Sequence, residues 1–180
     1  MPTRTPPSDD QRREMIEHLE YEVAMLRGGL LEFVAKNAAT PNVMALDRTH
    51  VTRIRRTAYF EVVLLHARLL DEFLTKKPTR DDDLWAGDFF TPGAWAPADG
   101  PLDRVASISG TGLTVRQTIH KQLAHISTAR LSQSKFYIQP CVNAVVVGMS
   151  AFANDRGNRN YADLNRMREM TDPLWQPSDR

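Results

Sequence analysis

The chain has 180 residues, 42% hydrophobic and 25% charged, with 23 basic against 22 acidic side chains and a net charge of +1. That is enough chain for one domain with a buried core, and the composition excludes collagen-like, rod-like coiled-coil and wholly disordered proteins. The near-neutral balance excludes nucleic-acid binding through bulk charge, though not through local clusters, and the lone cysteine, Cys141, excludes an internal disulfide or a thiolate zinc cluster.

Residues 1–8 hold three prolines and two threonines and read as a disordered lead-in. The N-terminal stretch MPTRTPPSDDQRRE lacks the apolar segment of a secretory signal, and no apolar run approaches membrane-spanning length, so the expectation is a cytoplasmic chain with no membrane partner. Ser8, Asp9 and Asp10 are capping residues for a first helix. Its apolar positions Met15, Leu19, Val23, Leu26, Leu30 and Phe33 recur at steps of three and four. Gly28-Gly29 interrupts that run, which predicts either a bend or a second backbone passing close by.

Thr40-Pro41-Asn42 is a turn signal, and a second long helix is predicted to start between Asn42 and Asp47 and to run to about Lys76, ahead of Pro78. Tyr59, Val62, His66, Leu69 and Phe73 form its stripe, widened by Val63, Leu70 and Leu74. Residues 77–113 are irregular, yet they carry Trp85, Phe89, Phe90 and Trp95, so this long connection is expected to pack on the helices, with 81–83 capping a short turn. Thr114 and Gln117 make a capping box for a third helix from Val115 to about Leu131, with Ile119, Leu123 and Ile126 on its buried edge. Pro140 opens a last core helix bearing Val142, Val145, Val146, Met149 and Phe152, although the β-branched run 145–147 also permits a strand. Residues 157–180 read as a flexible or partner-dependent tail. The predicted fold is all-α: a bundle of four to five helices over 9–156 with one long aromatic-containing loop.

Chemistry concentrates on two helices. His66 lies within an apolar stripe, so it is either a paired core histidine or a proton-transfer group in a cleft. The segment RQTIHKQLAHISTAR (116–130) places Arg116 with His120 on one face and Lys121 with His125 on another, and Arg130 follows. It is either a solvated face or a phosphate-binding one. His120 and His125 are five residues apart, the wrong spacing for a helical zinc pair, and a site from His18, His66 and His125 is unspecified; no metal and no cofactor is predicted. Arg48, Arg53, Arg55 and Arg56 crowd the start of the second helix, with Arg55 on the line of His66. They are expected either to contact anions or to pair with Glu14, Glu17, Glu20 and Glu22 of the first helix. Asp71, Glu72 and Arg68 read as a mixed surface set, in which Arg68 and Glu72 make a one-turn pair and Arg68 projects roughly opposite His66. Cys141 reads as a small buried apolar group.

The stretches YFEVVLLHARLLDEFL (59–74), DDDLWAGDFF (81–90), Trp95 and HKQLAHISTAR (120–130) together resemble a group of uncharacterised bacterial helical proteins. Those look in turn like distant relatives of the HEPN superfamily, whose members are helical bundles that commonly dimerise and are often metal-independent ribonucleases of toxin or defence systems. The resemblance covers about half of the chain and rests on HAR on one helix with K-x-x-A-H-x-x-x-x-R on a later one. It implies RNA as substrate and a homodimer. His125 or His66 would move the proton, Arg116 or Arg130 would steady the phosphate, and Lys121, Arg55 and His120 would bind it. The family's motif is Arg, four to six residues, then His; here the run from Arg13 to His18, on the first helix, carries that spacing. The competing expectation is a non-catalytic bundle that dimerises or binds a protein or ligand.

Overall fold

The computed structural model describes residues 4–39, 47, 50–78, 80, 83–96, 100–106, 113–124 and 138–175, the side chains at 121, 122 and 124 excepted. Within them are five α-helices, three short 3-10 turns and no strand: α1 (Asp9–Ala39), α2 (Val51–Thr75), α3 (Val115–Ala124), α4 (Ile138–Asn154) and α5 (Asn165–Met170). The all-α bundle expected from periodicity is the observed architecture.

The first helix starts where its caps predict. The Ser8 Oγ accepts from the Gln11 backbone N–H at 3.2 Å, while Gln11 Oε1 accepts from the Ser8 N–H at 2.8 Å. It then runs unbroken through Gly28-Gly29. Of the two expected explanations for the glycine pair, close approach is the observed one. A Cβ on Gly29 would stand 3.0 Å from Val63 Cγ2, whereas one on Gly28 would meet nothing within 4 Å.

α1 and α2 form an antiparallel hairpin, as the pairs Phe33 with Phe60, Gly29 with Val63, and Glu22 with His66 record. α2 begins later than its turn signal suggests, at Val51, where the His50 Nδ1 accepts from the Thr52 N–H at 3.2 Å as an N-cap. Its core positions are Val63, Leu64, Ala67, Leu70, Phe73 and Leu74, so the predicted stripe is rotated: Leu69 is exposed and Val62 only half-buried. The antiparallel arrangement also corrects the pairing expected for the arginine cluster. Arg56 lies against the far end of α1, where its Nε donates to Asn37 Oδ1 at 2.5 Å and its guanidinium sits over the Phe33 ring. Of the α1 glutamates, Glu22 meets His66 in the second half of α2 and Glu20 lies 3.6 Å from Arg166.

α4 covers the other side of α2, with Pro140 in its first turn, and the permitted strand at 145–147 is not adopted. The aromatic connection packs as predicted. Phe89, Phe90 and Trp95 join Phe73 and Phe152 in edge-to-face contacts with centroids 5.2 to 6.0 Å apart, and the Trp95 Nε1–H donates to the Leu74 carbonyl at 3.0 Å. Its short turn, Ala86–Phe89, is capped by Asp88, whose Oδ2 accepts from the Trp85 N–H at 3.1 Å; of the acidic run expected to cap it, residues 81 and 82 lie outside the described residues.

Both ends are more ordered than composition suggests. Arg4 forms an ion pair with Asp88 at 2.7 Å, drawing the proline-rich segment onto the aromatic turn. Residues 157–175, expected as a loose tail, bury Leu164, Met167 and Met170 against α1 and α4. Arg168 Nη1 donates to the Ala153 and Tyr161 carbonyls, each at 2.9 Å. From α1, Arg27 donates to the carbonyls of Met170, Asp172 and Trp175 at 2.8, 2.5 and 2.9 Å. Such charge-assisted bonds satisfy a helix C-terminus that has no intrahelical partners left.

The two glycines of α1 should respond oppositely to substitution. Gly28→Ala gains helix propensity in open space and should stabilise by about 0.5–1 kcal/mol. Gly29→Leu must be forced against Val62 and Val63 and should destabilise by about 1–3 kcal/mol. Thermal unfolding checks both, each kcal/mol being worth about 2–4 °C in a chain of this size.

Candidate functional site

Two polar clusters interrupt the apolar core, and both are anchored on α2. The first is His66, 6% exposed at the seam of α1 and α2. Its Nδ1 lies 2.5 Å from Glu22 Oε2, within hydrogen-bond distance, and Tyr21 contacts the ring edge-on with centroids 6.1 Å apart. A buried imidazole held this way joins two helices, which is the paired-core reading of the sequence. Glu22 also lines a groove of about 370 Å³ with His18, Leu69, Phe73 and Lys76.

The second cluster is built on Asp71, whose side chain is wholly buried. Arg116 of α3 donates through Nε to Asp71 Oδ2 at 2.6 Å, and the Leu102 backbone N–H donates to Oδ1 at 3.0 Å. Thr75 Oγ1 donates to the Asp71 carbonyl at 2.7 Å, and Arg116 Nη1 is 3.2 Å from Asp103. One carboxylate thus ties α2, the turn Pro101–Arg104 and α3 together. Gly100 makes room for this: a Cβ there would stand 1.8 Å from Arg116 Nη2. Burial pushes the Asp71 carboxyl above its ordinary range, and the bonds from Arg116 and Leu102 offset only part of that rise. For Arg116, burial acts downward but the Asp71 contact outweighs it, so the guanidinium is held charged more firmly than usual.

Next to this cluster lies a cleft of about 620 Å³ between α2 and α3. Its walls are Arg68, Glu72, Thr75 and Lys76 on one side and Leu113, Arg116, Gln117 and His120 on the other. Arg68 Nε donates to Glu72 at 3.0 Å, the one-turn pair expected from sequence. The capping box is formed: Thr114 Oγ1 accepts from the Gln117 N–H at 3.2 Å and Gln117 Oε1 accepts from the Thr114 N–H at 3.0 Å. This sets the first turn of α3 so that Arg116 and His120, four apart, face the cleft together.

The sequence-predicted residues therefore divide. Arg116 and His120 meet in the cleft, His120 on its exposed side. His66 belongs to a different seam, and its ring is engaged by Glu22 rather than by either residue. Arg55 is exposed and lies about 20 Å along α2 from Arg68, at 1.5 Å per residue, so it does not extend a phosphate site built around the cleft. Lys121 falls within α3, but its side chain, like all of His125 and Arg130, lies outside the described residues. Arg13 and His18, the pair with the family's spacing, are both exposed on α1, and Arg13 faces Asp10 and Asp163. Burial pushes the Cys141 thiol up to about 11, which suits a small core group and not a nucleophile. Among the described residues, no group of three His, Cys, Asp or Glu side chains is placed to hold a metal ion.

Sequence reading missed Glu22 as the partner of His66, Asp103 and the contribution of Arg68, and it set Asp71 on the surface with Arg68 and Glu72, whereas Asp71 is wholly buried. Asp71 had a signal: within LLDEFL it follows Leu70 directly and stands one turn after Ala67, a core position where an unpaired carboxylate would be costly. Comparison with protein-family models, curated protein sequences and solved structures yields no match for this chain.

Arg116→Ala would strand a buried carboxylate and should cost about 3–5 kcal/mol near neutral pH. Without its guanidinium partner, the folded Asp71 pKa rises further above its value in the unfolded chain. Across that window the unfolded chain holds fewer protons, so stability is lost as pH rises. Urea unfolding at pH 4, 5.5 and 7 should show the variant's deficit relative to the wild type widening with pH.

Proposed function

We propose that the chain is a non-catalytic helical-bundle binding module whose ligand site is the α2–α3 cleft. The observation that supports this most directly is that Arg116 and His66, the two proposed catalytic side chains whose contacts are known, are each committed to an internal carboxylate. A catalytic acid–base pair needs groups that can reach one reacting centre, and these two serve different seams. The cleft has the volume typical of a small-molecule pocket. Arg68 and Lys76 offer cationic donors, with Gln117 and His120 beside them and Leu113 and aliphatic stems as apolar wall, while Arg116 is held by Asp71 and Asp103. Glu72 offsets one of these charges. The fitting ligand class is a small molecule carrying one anionic group on an apolar or aromatic body.

A second reading, RNA cleavage in the HEPN manner, is favoured by one specific feature: Arg116, Arg68 and His120 line the same cleft. In that chemistry the RNA 2′-oxygen would attack the adjacent phosphorus and lose its proton, and the bond to the 5′-oxygen would break as that oxygen gains a proton. His120 would carry the proton and the arginines would hold the phosphate oxygens. No helix among the described residues is long and apolar enough to cross a membrane, so neither reading needs one.

The purified full-length chain, incubated with RNA with and without chelator, should release no fragments above a protein-free control. Nucleoside monophosphates should raise its melting temperature, and Arg68→Ala, which leaves the Asp71 pair intact, should remove that rise. RNA cleavage that persists in chelator and disappears with His120→Ala would replace the first reading with the second.

A further inference from the structure

The groove of about 370 Å³ between α1 and α2 has an apolar floor of buried Leu19, Leu70 and Phe73, with half-buried Met15 and Leu84 as walls. Its polar rim is largely engaged within the chain. Glu22 is held by His66 and Glu72 by Arg68. Lys76 and Asp83 also line it, are in no ion pair among the described residues, and are of opposite sign. An anionic ligand would meet three carboxylates against one ammonium. A cationic one would have to draw Glu22 or Glu72 from its partner, or settle on the exposed Asp83 alone. An uncharged apolar molecule incurs neither cost and takes the floor out of water. This chemistry differs from that of the α2–α3 cleft, although Glu72 and Lys76 border both.

One end of the groove is covered by the chain's own N-terminal segment. Met15, His18 and Leu84 line both the groove and a second space of about 300 Å³, whose outer wall is residues 4–7. None of these four side chains is buried, so polar contacts hold the segment in place. Arg4 sets its fork on Asp88, Nη1 donating to Oδ1 at 2.7 Å and Nη2 to Oδ2 at 2.9 Å, and it also donates to the Asp83 carbonyl. At the other end, Arg12 Nη1 donates to the Pro7 carbonyl at 2.6 Å. Pro6 and Pro7 have fixed φ, so the segment is stiff and swings as a unit about Ser8, next to the start of α1. Arg12 anchors the hinge end and Arg4 the free end. Parting Arg4 from Asp88 lifts the segment and joins the two spaces into one furrow. We propose that this furrow binds an uncharged, elongated apolar molecule, and that residues 4–7 are the strap that gates it, latched by Arg4 on Asp88.

The uncharged dye N-phenyl-1-naphthylamine, which brightens in apolar surroundings, should bind the full chain. The anionic 1-anilinonaphthalene-8-sulfonate should not compete with it. Met15→Asp and Leu84→Asp, each checked for unchanged helical circular dichroism, should both abolish dye binding. Arg4→Gln should raise the rates of dye entry and release by about fivefold, as expected of a gate, and leave the circular dichroism unchanged. A nitroxide on Thr5→Cys, an exposed position, should tumble slowly in the otherwise wild-type chain and fast once Arg4→Gln is added; the native Cys141 is buried. Absence of dye binding in both the wild-type and Arg4→Gln chains overturns the site, as does binding that survives both aspartate variants. Competition by the sulfonate overturns the choice of an uncharged ligand. Dye rates indifferent to Arg4→Gln, or a nitroxide equally mobile with and without Arg4, overturn the strap.

Discussion

A carboxylate without solvent exposure is tolerable only where every lone pair finds a donor, and Asp71 meets that demand by recruiting distant parts of the chain. The Leu102 N–H fixes the turn that leads out of the aromatic connection, and Arg116 fixes the start of α3. Neither segment has a large apolar face of its own: α3 buries Val115 and Ile119, and the Pro101–Arg104 turn buries Pro101 and Leu102. The buried ion pair therefore specifies where these segments dock. Replacing such a pair with apolar groups often leaves stability unchanged, so its contribution here is one of register: α3 is placed, and with α3 the walls of the cleft.

His66 and Glu22 act similarly at the other seam, and together the two clusters make α2 the element on which the others are assembled. Its N-terminal half packs on the end of α1, its C-terminal half on Glu22 and the groove, and its rear face on α4. This arrangement also explains why the histidine of an apolar stripe does not open into a cavity. The ring lies where an antiparallel neighbour brings a carboxylate to within hydrogen-bond distance, and that bond is a better resolution of a buried polar group than an empty hollow.

The helices were legible because their signals are local. Ser8 with Gln11 and Thr114 with Gln117 are capping boxes readable from four residues, and the three-and-four spacing of Leu19, Val23, Leu26 and Leu30 needs no tertiary information. The packing of Phe89, Phe90 and Trp95 was legible as well, since aromatics in a polar connection have few other places to go. What failed was whatever depended on the partner of a charged group. Arg27 and Arg168 reveal nothing until the carbonyls they bind are brought across from other elements, so the segment 157–175 looked loose. The arginines near the start of α2 were matched with glutamates on the wrong end of α1, because helix periodicity carries no information about which way two helices run. Of the candidate site, the pairing of Arg116 with His120 followed from their four-residue spacing, whereas the role of Arg68 was hidden by its projection away from His66.

That projection decides what α2 offers beyond the core. The one-turn spacing of Arg68 and Glu72 sets their ion pair as one wall of the cleft, opposite Arg116 and His120 on α3, so the charge that the cleft presents is decided by how that pair is held.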